Sequence, residues 1–568
     1  MTPMIQPART LLALAASATL CAAALAQDPA TDASAWKPGH VIVNPAVRHD
    51  RSAPLMALYR MYRLPPPPHW LHHPPIRGTT QPPPSPPATI AAAGAAVEQL
   101  TQGTRPPAAL VASFDGLGDG FHGPQGTEQA RNPSDNSLGV GPNDIVQIVN
   151  SRMAIFTKKG RRYRKTGRTL FGPVITNTLF AGFGGPCESL VSGDVVVRYD
   201  QLAKRWLFVL PVFRRPDDQP NAPYAMCYAV STGSDPMGSY FRYQFNRPLF
   251  PDYPRPAIWS DGYYVPSSTG DTVIQKQLCA ADRARMLRGE AADEQCEIID
   301  GVNFLNAADI DGLRLPPAGL PEIVMAAGGT QLLGRLESDG IFAWRYHVDW
   351  TNPAGTSLTG PQKIAVAPCH YLCTGQLSRC VPQPGTDVRL DSQGDKLMQR
   401  LAYRNFGSYQ AIVATHSIDT RAGGGVRWYQ FRVNANGTPQ LYQQGTYAPD
   451  GGYRWMGSIA MDRRGDIGVG YSYGSAASYP GQRFAARLAN DPKGRLTLHE
   501  AVLAQGEAAQ TDTLRWEDYA TLDIDPSDGC TFWYVGDYLK KGAANYTTRI
   551  GAFRLPGCAP PRRLFGIF

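Results

Sequence analysis

Short β-branched and aromatic runs, each broken by a glycine-rich or Asx-Gly turn, recur at a long period and restrict the fold of this chain more than any other feature. Seven segments share one form: a polar or aromatic lead-in, a small-apolar strand, a turn and a second apolar strand. They begin near Asn136 (NSLGVGPNDIVQIVN), Ser192 (SGDVVVRYDQLAKRWLFVL), Asp252 (DYPRPAIWSDGYYV) and Pro321 (PEIVMAAGGTQLLGRL). The others begin near Asp395 (DKLMQRLAYRNFGSYQAIVATHS), Tyr453 (YRWMGSIAMDRRGDIGVGYSY) and Glu517 (EDYATLDIDPSDGCTFWYV). Such runs bounded by turn residues are the mark of many short strands. Their mean spacing is about 64 residues, the scale of a four-stranded blade with long loops. The pattern predicts an all-β fold, a seven-bladed β-propeller, with two packed β-sandwich domains as the competing arrangement. A turn Asp or Asn follows the strand at Asn143, Asp200, Asp261, Asp462 and Asp525, and the fourth unit matches least well. One stretch breaks the pattern: ADRARMLRGEAADE, from Ala281 to Glu294, reads as a single surface helix.

The N-terminal region has a different composition. Arg9, the apolar stretch Thr10 to Ala23 and the Ala24-Leu25-Ala26 site form the three parts of a secretory signal. Residues 1–26 are therefore expected to be a signal peptide and the mature chain to be secreted or periplasmic. No later segment offers the ~18 uncharged apolar residues a spanning helix needs, so no membrane insertion is expected. Residues 27–110, with Pro65 to Pro68, His69, His72, His73 and Pro82 to Pro87, read as a proline-rich leader, largely disordered and extended. Residues 111–560 are expected to form the propeller and 561–568 a short tail.

Cleavage after Ala26 leaves nine cysteines, which in an exported chain read first as disulfides. Proximity favours Cys187–Cys227, Cys279–Cys296 and Cys530–Cys558, with one pair among Cys369, Cys373 and Cys380 and one thiol left over. A zinc site from those three with His370 is the alternative. The net charge of +8 is small for 568 residues and scattered, which fits no nucleic-acid module.

The stretches SLGVGPNDIVQIVNS, GDVVVRYDQLAKRWL, FPDYPRPAIWSDGYYV, YQQGTYAPDGGYRWMGSIAMD and DPSDGCTFWY resemble an uncharacterised family of secreted bacterial β-propeller proteins, distantly sialidase-like in fold. The resemblance runs from about residue 114 to 558. It implies export and a propeller, and no substrate. The sialidase likeness stops at the motifs: Arg255-Pro256 only partly matches an Arg-Ile-Pro segment, and no Ser-x-Asp-x-Gly-x-x-Trp turn occurs.

In a propeller the lead-ins of the innermost strands face a common funnel. Aligning the units places Asp135, Asn136, Asp194, Asp252, Tyr253, Arg255, Asp395, Arg400, Arg454, Trp455, Arg515, Trp516, Glu517 and Asp518 there. Two carboxylates, one desolvated and protonated, suit general acid/base attack on a glycosidic bond, and Asp194 with Glu517 is the first candidate pair. The remaining residues are candidate ligand-binding groups: aromatic rings for sugar faces, arginines for carboxylates or sulfates. Each of them also has a purely structural reading, since Asp and Glu cap turns and Arg–Asp pairs tie blades together. The expected partner is a polysaccharide or cell-surface glycan, bound by a monomer that hydrolyses it if the carboxyl pair is catalytic; a non-catalytic binding propeller is the alternative. No metal or other cofactor is expected, with a structural calcium left open: Asp309-Ile310-Asp311-Gly312 has the look of a calcium loop but carries Ala307 where the first ligand belongs. His416 reads as a core residue. No Gly-x-Ser-x-Gly or His-Glu-x-x-His motif is present.

Overall fold

The computed structural model describes residues 34, 36–61, 94–128, 132–213, 222–269, 275–302, 304–328, 336, 339–374, 379–421 and 423–558. Within them the strands form seven successive antiparallel meanders, numbered here as blades from the N-terminal side. The innermost strands are Ser137–Val140, Val196–Asp200, Ala257–Ile258, Asn306–Ile310, Leu401–Asn405, Tyr453–Met461 and Thr521–Ile524. The strand of blade 1 touches those of blades 2 and 7, and contacts continue through blades 6, 5, 4 and 3. Blades 4 and 5 join outright, their inner strands pairing in parallel with Ala308 opposite Leu401. Blades 2 and 3 share an apolar cluster that includes Leu207, Val209, Tyr228, Ile258 and Tyr263. The meanders thus close into a ring, the seven-bladed propeller expected from the recurring lead-ins.

Alternation explains the packing. Inner strands are covered on both faces, so Ser137–Val140 and Val196–Asp200 are buried throughout. Where one blade must admit a large ring from the next, the sequence supplies glycine. A Cβ on Gly141 would lie 2.5 Å from the indole of Trp206, which fills the space between blades 1 and 2.

Six of the seven sequence units start at an inner strand. The fourth does not: Pro321 precedes Glu322–Ala327, the second strand of blade 4, whereas the inner strand is Asn306–Ile310. The expected helix is present but shorter, Arg283–Arg288, with Asp282 accepting from the Arg285 amide at its start and Gly289 in the left-handed conformation (φ 74°) at its end.

The leader expectation needs correction on both sides of its proline-rich centre. Ile42–Pro45 adds a fifth strand to blade 3 and Arg48–Arg51 a fifth to blade 2. Glu98–Gln99 does the same for blade 5, and Ala109–Gly118 is the outer strand of blade 7, paired with Thr547–Arg554. These edges accept short strands because an outer edge offers unpaired backbone groups whatever the side chains, so little hydrophobic patterning marks the segments that fill it. The expected signal peptide at 1–26, residues 62–93 and the expected tail at 561–568 lie outside the described residues.

Four disulfides are present: Cys187–Cys227, Cys279–Cys296, Cys373–Cys380 and Cys530–Cys558. The bond between Cys373 and Cys380 removes two of the thiolates the zinc alternative required, and Cys369 is the ninth, buried cysteine. Among the described residues no helix is long and apolar enough to cross a membrane.

Candidate functional site

The central channel is closed by charge. Arg400, just before the inner strand of blade 5, donates to Asp309 at 2.7 Å and to Asp311 at 2.6 Å, both in blade 4, and lies 3.4 Å from Asp523 in blade 7. Arg198 of blade 2 approaches Asp309 at 3.4 Å. Burial raises the Asp523 carboxyl to about 7 in spite of Arg400. Asp309 and Asp311, the pair with the look of a calcium loop, are thus held by an arginine.

At one end of this plug the lead-ins gather, and their backbones are unusual. Asp135 (φ 48°), Asp194 (φ 53°), Tyr253 (φ 52°), Gln393 (φ 45°), Met456 (φ 52°), Glu517 (φ 58°) and Asp518 (φ 67°) all adopt the left-handed region. Each such non-glycine residue costs on the order of 1 kcal/mol or more, and such residues concentrate where side chains must be aimed. Here such turns bring Asp135, Asp194, Tyr253 and Asp518 near one another, while Met456 packs in the core.

Three carboxyls form a row. Asp194 lies within hydrogen-bonding reach of both Asp135 and Asp252, and Asp135 also accepts from Asn150 Nδ2 at 2.5 Å. Hydrogen bonds between carboxyls need a proton between them. Accordingly the Asp194 carboxyl is raised well above its usual range, first by burial and then by the charge of Asp135. Asp135 is raised by burial and by Asp518. Asp194 and Asp252 remain partly exposed while Asp135 is wholly buried.

Beside the row, Arg515 bonds Asp518 and stands 3.4 Å from Asp391, whose carboxyl burial lifts to about 7 against the pull of Arg515. Tyr253 donates to the Asp518 carbonyl at 2.7 Å, and its ring meets Tyr519 and Phe304 edge-on. Arg255 lies over the Tyr253 ring at 4.3 Å. Lys396 bonds Gln393, lies 3.3 Å from Asp395 and sits 3.9 Å from the Phe304 ring centre. Lys276 also approaches Phe304, at 5.2 Å, and burial lowers its ammonium to about 7.

The structure therefore gathers Asp135, Asp194, Asp252, Tyr253, Arg255, Arg515 and Asp518 at one end of the channel. Glu517 sits apart from that row. Fully buried, it accepts from Ser472 and Gln482, each at 2.9 Å, and from the Asp537 amide at 2.6 Å. Burial and the neighbouring Asp537 raise it, while Asp537 is itself lifted by burial to about 7. Trp516 and Trp455 pack together in the core, rings 6.1 Å apart, and Trp516 Nε1 donates to Ser472. Arg454 is buried away from the funnel, held by Glu500 at 2.7 Å and Asp450 at 2.8 Å. His416 is a core residue, 3.0 Å from the Tyr429 hydroxyl and pushed down to about 3 by burial.

Sequence reasoning missed Phe304, Lys276, Asp391, Gln393 and Lys396 as site residues. Phe304 lies two residues before the inner strand of blade 4, the unit whose start was misplaced. Lys396 follows Asp395 in a lead-in and was visible there. Lys276 is on the third strand of blade 3 and carries no lead-in signal.

No family model matches the chain, and no curated protein matches it. Among solved structures, polysaccharide lyase Uly1 is 10% identical over 81% of this chain and 100% of its own, with a TM-score of 0.35. A protein of unknown function from Dyadobacter fermentans is 10% identical over 79% of this chain and 100% of its own, with a TM-score of 0.34. The hemagglutinin-neuraminidase of parainfluenza virus 5 is 10% identical over 72% and 94%, with a TM-score of 0.25. Likeness at this level carries no argument about chemistry.

Proposed function

We propose that the protein binds a carbohydrate polymer at the end of the propeller channel lined by Asp135, Asp194, Asp252, Arg255, Arg515 and Asp518. One observation carries the reading. Lead-ins from blades 1, 2, 3, 4, 5 and 7 bring carboxyls, cations and the rings of Tyr253 and Phe304 to one partly exposed place. A polyhydroxylated ligand needs this mixture of acceptors, donors and apolar faces, and a merely structural core does not. Four disulfides are in keeping with a secreted or periplasmic setting.

Hydrolysis is a second reading, favoured by Asp194, a partly exposed carboxyl that burial and the charge of Asp135 raise well above its usual range, the direction a general acid needs. Its weakness is spacing. Glycosidase carboxyl groups stand about 5 Å or more apart, whereas Asp194 is within hydrogen-bonding reach of Asp135 and Asp252, and Glu517 is fully buried with its carboxyl taken up by Ser472, Gln482 and the Asp537 amide. Binding is therefore the conclusion.

The test is retention of the purified chain on a panel of immobilised neutral and acidic polysaccharides, with reducing-end release measured alongside. Retention lost in Asp194→Asn supports the funnel as the site. Retention on none of the polymers overturns the carbohydrate reading, and release by the native chain that Asp194→Asn abolishes would establish the enzyme.

A further inference from the structure

The two sides of the funnel differ in charge. The groups that act most on Asp194 are all carboxyls: Asp135, Asp252 and Asp518. On the other side three cations converge on the Phe304 ring: Arg255 at 5.2 Å, Lys276 at 5.2 Å and Lys396 at 3.9 Å. All three are exposed by 3% or less. Burying like charges together is costly unless something of opposite sign joins them. Asp395 and Asp252 answer part of that charge, and burial still lowers Lys276 and Lys396.

Arg255 shows what is missing. Its Nη1 donates to Asn306 Oδ1 at 3.0 Å and to the Leu397 carbonyl at 2.7 Å. Its Nε and Nη2, the edge that forms a two-pronged fork, meet no carboxylate among the described residues and make no close hydrogen bond, the Tyr253 hydroxyl being the polar group that acts on the guanidinium from beside it. The same edge is also left without a close partner at Arg198 and Arg404, whereas at other arginines it grips a carboxylate with both prongs. Arg242 holds Asp50 at 2.8 and 2.6 Å, Arg288 holds Glu290 at 2.7 Å on both, and Arg454 holds Glu500 at 2.7 and 3.1 Å. A buried fork left open is expensive, and its geometry selects a planar pair of oxygens over a point charge.

We propose that this open edge seats a ligand carboxylate, so that the funnel takes an acidic glycan bearing uronate groups. The uronate lies on Arg255 between the Lys276 and Lys396 ammonium groups, Phe304 and Tyr253 border the sugar ring, and neighbouring hydroxyls meet Asp194 and Asp252. The proposal rests on the carbohydrate reading above and narrows it.

The test is calorimetric titration of the whole chain, at fixed pH and ionic strength, with tetramers containing galacturonate, glucuronate or mannuronate and with their methyl esters. The esters keep the shape and remove the charge. At least one acid tetramer is expected to bind ten-fold or more tightly than its ester. Arg255→Lys, which keeps a charge and loses the fork, is expected to bring the acid down toward the ester. So is Lys276→Met, which replaces a buried ammonium with an apolar chain of similar reach and is expected to keep the native melting temperature. Equal affinity for acid and ester in the native chain, or a preference that survives Arg255→Lys, overturns the proposal while leaving carbohydrate binding intact. Failure of every acid, ester and neutral oligosaccharide to bind overturns both.

Discussion

Replacing Arg400 by Met tests whether charge holds the centre of the ring together. At a separation of about 2.7 Å and an effective dielectric of about 20, each close carboxylate contact is worth roughly 6 kcal/mol before desolvation. Desolvation cancels most of that, and the measured cost of removing one partner from a buried pair is about 3–5 kcal/mol, because the other partner is left charged and unpaired. Asp311 and Asp523 are in that position here, drawn from blades 4 and 7, while Asp309 keeps Arg198 at 3.4 Å. Asp523 escapes by taking up a proton, as it already tends to do at about 7. The variant then binds more protons folded than unfolded, so its stability falls as pH rises through that range. The expected loss is about 3–5 kcal/mol at pH 8 and clearly less at pH 5, read from urea unfolding followed by tryptophan fluorescence. A loss below about 1 kcal/mol at pH 8, or one equal at the two pH values, would refute the reasoning.

Three further outcomes follow from named groups. Glu517→Gln is expected to cost less than about 2 kcal/mol, since the neutral amide imitates the uncharged form that burial and Asp537 favour, whereas Glu517→Ala leaves Ser472, Gln482 and the Asp537 amide without an acceptor and costs more; denaturation midpoints of the two variants decide. The native chain is expected to lose stability between pH 5 and 8, because Asp391 and Asp537, at about 7, release their protons later than they do unfolded; a melting temperature that rises across that range contradicts it. Deleting residues 36–51 bares the outer edges of blades 2 and 3 and removes buried Trp36 and Ile42, so the truncated chain is expected to melt lower and to self-associate in light scattering, and an unchanged melt and monomeric mass would count against the strand pairing.

Lead-ins were legible because turns need residues tolerant of left-handed backbone, and Asp135, Asp194 and Asp518 announce themselves that way. What a lead-in does not reveal is direction. Side chains alternate along a strand, so one residue decides whether a group faces the axis or a neighbouring blade. Arg454 lies next to Tyr453, where its strand begins, and its guanidinium turns to Glu500 on the outermost strand of blade 6. Trp455 and Trp516 are large rings that the sequence offers equally to a ligand or to the core, and the core took both. The basic side was harder still, because Lys276 reaches it from a third strand and Phe304 from the one unit whose short acidic inner strand, NAADI, reads as a loop.

The strands contributed by residues 42–51 and 98–118 have a consequence for the order of events in the cell. Ala109–Gly118 is synthesised hundreds of residues before Thr547–Arg554, its partner in blade 7. The ring therefore cannot shut until Thr547–Arg554 has been made. Every incomplete product carries an open edge at each side of the gap, a ready target for proteolysis, and contacts this distant in sequence make closure slow. A chain built this way stays threadable for as long as its C-terminal end is withheld.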